Sequence, residues 1–210
     1  MSSAKSRASQ AREQVARVRD EQRRKERRRN VVFVVAIVAV AALLMGGVVL
    51  YTSLKGSPSD IPGVQPFSGL SRNHVTGTVR YPQTPPVGGS HNPVFLNCGI
   101  YTSPVHNENA VHSLEHGAVW ITYRPGLPAA AVTRLHDLVR GKPPVKRGYV
   151  ILSPYPGLPS PVVASAWGKQ LRLPGASDPR LERFVTTYAH GPQTPEPGAP
   201  CSGGTGTPLP

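Results

Sequence analysis

The longest apolar run in the chain is Val31 to Tyr51, VVFVVAIVAVAALLMGGVVLY, twenty-one residues without a charge. As a helix rising about 1.5 Å per residue it spans roughly the 30 Å hydrocarbon core of a bilayer, and it predicts a transmembrane helix. A cleaved signal peptide would need a shorter apolar region, about 7–15 residues, followed by a small-residue cleavage site, and the sequence offers neither. Beyond this run the periods shorten. His74 to Tyr81 (HVTGTVRY) and Ala118 to Tyr123 (AVWITY) are β-branched and predict strands. Leu127, Val132, Leu135, Leu138 and Val139 recur at helical spacing, with Pro128 near the first turn and Gly141 at the end. Tyr149 to Leu152 and Val162 to Trp167 predict two more strands around a proline-crowded turn. Pro179 to Ala189 predicts a last helix with Asp178 as N-cap and Leu181, Phe184, Val185 and Tyr188 as its apolar stripe. The order predicts an α+β fold, a mixed sheet with packed helices, preceded by one transmembrane helix.

Charge orients the chain. The formal net charge is +13, but residues 1–29 hold eleven Lys or Arg against four acids, and Arg23, Arg24, Lys25, Arg27, Arg28 and Arg29 abut one end of the apolar run. The positive-inside bias therefore predicts a cytoplasmic N-terminus and an extracytoplasmic body at the cell membrane. The basic arm has no aromatic residue to stack a base, so it reads as a topology signal attracted to anionic headgroups, not as a nucleic-acid binder. The expected organisation is a basic arm at 1–30, the span at 31–51, a linker at 52–68, the α+β domain at 69–191 and a Pro/Gly-rich tail at 192–210.

Candidate chemistry concentrates between Pro85 and Gly117, which carries four of the seven histidines: His91, His106, His112 and His116. Asn107 as N-cap, Glu108 to His116 as a short helix and Gly117 as the residue after it would place His112 and His116 four apart on one face. Two imidazoles so spaced can chelate one Zn²⁺ or Cu²⁺ while a third arrives from a loop. His91 is the natural third ligand, Glu115 a fourth ligand or the acceptor that fixes an imidazole tautomer, and His74 a further candidate whose strand could neighbour the His91 loop. Three neutral imidazoles would lose their metal as pH falls through about 6.5. His112-Ser113-Leu114-Glu115-His116 also matches H-x-x-E-H, the inverted zinc-peptidase signature, although Gly117 stops the helix at once and no second ligand motif follows. The plain alternative is a set of buried histidines satisfied by hydrogen bonds.

Both cysteines, Cys98 and Cys201, lie beyond the span, where an oxidising compartment favours one disulfide. The alternative is a Cys98 thiolate that binds copper or zinc together with His91, leaving Cys201 free.

The series His74, Tyr81-Pro82, Pro85-Pro86, Gly89, His91, Gly99, Tyr101 and Val111-His112-x-Leu114-Glu115-His116-Gly117, with Tyr123 behind it, resembles the bacterial membrane-anchored family catalogued as domain of unknown function 3105. The resemblance covers roughly Gly69 to His190 and implies a single-pass envelope protein with a His-rich, LEHG-containing core. It implies no activity. Three classes of function follow: a membrane-tethered module that binds or senses a divalent metal through His91, His112 and His116; a non-catalytic envelope scaffold or complex subunit with an envelope protein partner and structural histidines; and a zinc-dependent hydrolase.

Overall fold

A computed structural model describes residues 23–47, 61–141 and 148–210. The basic arm before Arg23, the end of the expected span and most of the expected linker lie outside the described residues. Two compact units divide the chain, residues 1–57 and 58–210. In the first, α1 (Arg23–Gly47) is the one helix among the described residues long and apolar enough to cross a membrane. Its Val, Leu, Ile, Phe and Met side chains are all exposed.

The second unit is α+β. In chain order it contains β1 (Val64–Pro66), β2 (Gly99–Ile100), α2 (Asn107–Glu115), β3 (Val119–Tyr123), α3 (Ala129–Arg140), β4 (Val150–Pro154), β5 (Val162–Ala166), β6 (Lys169–Leu173) and α4 (Pro179–Tyr188). The six strands form one mixed sheet in the order β1-β6-β5-β3-β4-β2. β3 pairs parallel to β4 and β4 parallel to β2, while the β3–β5, β5–β6 and β1–β6 pairs are antiparallel. The parallel β3–β4 pair needs a crossover, and α3 supplies it.

β3 is buried at all five positions, so the sheet is covered on both faces. Val119, Ile121 and Tyr123 point to one face, where Leu135 of α3 and Leu181, Phe184 and Val185 of α4 complete a large apolar core. The alternate residue Trp120 points to the other face and packs with Ala110, Val111 and Leu114 of α2. α4 begins as its sequence dictates: Asp178 accepts from the Arg180 amide, and Pro179 occupies the first turn, where its missing N–H costs nothing.

Several local expectations need correction. His74 to Tyr81 is not a strand: a single parallel bridge joins His74 to His91, Gly77 then turns away at φ +140°, and the Val79 amide donates to the Glu108 carboxylate instead of to a ladder. Asn107 is the first residue of α2, and His106 before it makes no side-chain cap. β6 follows β5 after a two-residue turn, Trp167-Gly168, with Gly168 at φ +66°. Its alternation is masked by Gln170, a polar residue that is buried because its amide donates to the Pro85 carbonyl at 2.9 Å. β1 lies inside the segment expected to be linker, and the expected tail returns to the body through bridges Leu96–Thr205 and Ile100–Leu209.

Candidate metal centre

The α2 helix is the floor of the site. Ala110, Val111 and Leu114 anchor it to the sheet, which leaves His112, Glu115 and the following His116 on the faces turned towards the loops. The helix stops in a Schellman arrangement: the Gly117 amide donates to the Leu114 carbonyl at 3.0 Å and the Ala118 amide to Ser113 at 2.8 Å. Gly117 has φ +101°, and a Cβ there would also meet Thr194 and the backbone of His190 at 3.0–3.1 Å. Glycine at this point therefore ends the helix and lets the returning chain close over the histidines.

The loop carrying His91 is fixed by backbone bonds. His91 donates to the Asn73 carbonyl and accepts from the Val75 amide, the rung that sets His74 beside it. Further along, Leu96 bonds to both Asn109 and the buried Ser113 hydroxyl, so the segment runs against α2. The result is a ring cluster. His74 lies 4.9 Å from both His91 and His112 between centroids, His91 lies 4.8 Å from His112, and His112 lies 4.5 Å from His116. Trp167 stands edge-on to His91 at 6.0 Å. His91 is fully buried, His112, His116 and Glu115 nearly so, and His74 is exposed at the mouth.

Three of the four rings share a hydrogen-bond pattern. His91 Nδ1 lies 2.8 Å from the Gly89 carbonyl, His112 Nδ1 2.7 Å from that of Asn92, and His116 Nδ1 2.7 Å from that of Pro200. A carbonyl oxygen can only accept, so each Nδ1 carries a proton, and in its neutral form each ring presents a lone pair at Nε2. A backbone carbonyl that accepts from the ring's other nitrogen is a usual means of fixing a metal-ligating histidine. The His91 Nε2 faces Glu115 Oε2 at 2.9 Å, yet this buried nitrogen has no partner in hydrogen-bonding alignment. In the neutral ring with Nδ1 protonated, this short distance sets the Nε2 lone pair beside a carboxylate oxygen. Burial, together with the neighbouring histidines, pushes the His112 pKa down to about 4, against the opposing pull of the Asn92 carbonyl.

The donor atoms fall into two groups, each within 4.8 Å: His74, His91, His112 and Glu115, and His112, His116 and Glu196. Ligands on one tetrahedral zinc are separated by about 3.3 Å for bonds near 2 Å, so each group lies a small side-chain adjustment from that spacing. The expected trio of His91, His112 and His116 is thus distributed over two groups, with His74 beside His91. Arg72 joins the groups: its Nε donates to Glu115 Oε1 at 2.7 Å, and its Nη2 lies 3.4 Å from Glu196 Oε1. These two carboxylates raise the Arg72 pKa.

The tail supplies parts that sequence reasoning left out. Glu196 and the Pro200 carbonyl come from it, and Cys201 is joined to Cys98 with Cα atoms 5.3 Å apart, so neither cysteine is free to act as a thiolate ligand. His190 accepts from the Gly198 amide and rests on Tyr149, whose hydroxyl donates to Ala199. An acid five residues before a bonded cysteine was the available signal for Glu196. The three backbone carbonyls leave none.

No curated protein and no solved structure matches this chain. The profile of the family described as "Protein of unknown function (DUF3105)" matches residues 74–203, a stretch that contains every donor in both groups. The chain belongs to that family.

Proposed function

We propose that this is a single-pass membrane protein whose C-terminal domain lies outside the cytoplasmic membrane and holds a divalent transition-metal ion, zinc or copper, through His74, His91, His112 and Glu115, as a metal-binding or sensing module. The observation that carries the reading is the fully buried His91 Nε2, unpartnered and facing a carboxylate while its Nδ1 is committed to the Gly89 carbonyl. A cation between Nε2 and Oε2 satisfies both, and imidazole donors suit zinc and copper. The basic residues from Arg23 to Arg29 at one end of α1 and the Cys98–Cys201 bond support the topology, since disulfides persist in oxidising compartments.

The test is metal titration of the full chain in detergent after chelator treatment. Zn²⁺ or Cu²⁺ should bind saturably, and His91→Ala should lower the affinity about 10–100-fold. Absence of saturable binding, or an unchanged affinity in the variant, contradicts the reading. One observation favours a scaffold instead: the Nδ1 bonds also staple three loops, at Gly89, Asn92 and Pro200. On that reading His91→Ala destabilises the domain and leaves metal uptake where it was. The hydrolase reading gains a third donor in Glu196, but Glu115, which would activate water, is only 1% exposed and has its two oxygens against Arg72 and His91. Peptide hydrolysis lost in Glu115→Gln with metal retained would restore it.

A further inference from the structure

We infer that the pocket carries one exchangeable cation with two alternative positions, the second formed by His112, His116 and Glu196, and that the shared His112 passes the ion between them. This rests on the metal reading above and adds stoichiometry and exchange to it. His112 belongs to both donor groups. Its Nδ1 is taken by the Asn92 carbonyl at 2.7 Å, so the neutral ring has a single lone pair to give, at Nε2, and one lone pair binds one ion at a time. His112 and His116 are ring neighbours at 4.5 Å, which puts the two positions within reach of a small rotation of one side chain.

Charge argues the same way. Glu115 and Glu196 supply two negative charges and Arg72, in contact with both, supplies one positive charge. One divalent ion leaves a net +1 in the pocket and two leave +3, a cost that a largely buried pocket does not recover. An ion at either position takes over one carboxylate while Arg72 keeps the other. Each position reaches the surface through one ligand, His74 in the first and Glu196, 41% exposed, in the second, while His91 and Glu115 are buried. Two positions that each reach the surface suit loading and release, whereas structural zinc sites are closed by four protein ligands.

The test loads the full chain in detergent with Co²⁺, whose visible absorption reports its ligands. One Co²⁺ per chain is expected at saturation. His91→Ala should keep one ion, bound about 10–100-fold more weakly and with an altered spectrum, because His112, His116 and Glu196 remain. Glu196→Gln should keep one ion with less than about a tenfold loss. His112→Asn, whose amide still donates to the Asn92 carbonyl but has no Nε2, should lose more than about 100-fold, beyond either other variant. Two Co²⁺ per chain overturns the single-ion inference and leaves the metal reading standing. No Co²⁺ binding overturns both. A His112→Asn loss no greater than that of His91→Ala, or a Glu196→Gln spectrum and affinity equal to those of the unmodified chain, removes the shared second position.

Discussion

The two faces of the sheet are built by different means. On the α3 and α4 side, Val119, Ile121, Leu152, Leu171, Leu181, Phe184 and Val185 form an apolar layer that excludes water. On the α2 side a smaller core around Trp120 and Leu114 gives way to a pocket of four histidines and two carboxylates, closed by loops, one disulfide and the returning tail. The first face is stable because its surface is buried. The second is held by specific hydrogen bonds, each of which costs free energy if its partner is missing. This contrast separates an apolar face from the polar one that holds the candidate site, and it can be attacked from either side.

The largest effect is expected on the apolar face. Phe184→Ala, at a fully buried position, should destabilise the domain by about 3–5 kcal/mol, measured by denaturant unfolding. Metal affinity of the fraction that remains folded should be unchanged. A parallel loss of affinity would mean that the two faces are not separable.

Next comes the disulfide. Cys98 and Cys201 close a separation of 103 residues, and replacing both by alanine should cost about 2–5 kcal/mol. Unlike Phe184→Ala, this change loosens Pro200 and Glu196 as well, so folded double variant should also bind metal more weakly. Stability lost with metal affinity intact would show that the tail plays no part in the site.

A pH scan of the metal-free protein gives a smaller effect. His112 is held down near 4 against an ordinary value of 6.5. The unfolded chain therefore takes up its proton first as pH falls, and the contribution of neutral His112 is complete above about 6.5 and lost progressively towards 4. After solvent screening the loss is on the order of 1 kcal/mol. His112→Asn should flatten that part of the curve. An unchanged slope in the variant would assign the acid sensitivity elsewhere.

Smallest is Arg72, whose side chain is half-exposed and serves the ion-free pocket as its counter-charge. Arg72→Gln should raise zinc affinity about two- to fivefold, because the metal no longer competes with a guanidinium. A fall would make Arg72 a positioning residue for Glu115.

How much of this was legible in the sequence divides along the same line. The apolar face was readable because its elements have a period: α3, α4, β3, β4 and β5 stand close to where alternation and helical spacing put them. β6 was hidden by buried Gln170, and β2 is only two residues long. On the polar face the residue types were visible as a histidine-dense stretch, and His74, His91, His112, His116 and Glu115 were all candidates. Their grouping was not. It depends on a one-rung bridge, on three backbone carbonyls and on Glu196, brought back from a segment whose composition reads as a tail. Periodicity encodes burial, and contacts made through main-chain atoms of distant loops leave no pattern in side-chain types.

The most direct measurement is X-ray absorption at the zinc edge of the full chain loaded with Zn²⁺. At least two imidazole nitrogens are expected at about 2.0 Å, with the outer-shell scattering of histidine rings, and a reduced histidine contribution in His112→Asn. Zinc coordinated by oxygen alone, or a spectrum identical in the two proteins, would contradict the metal reading.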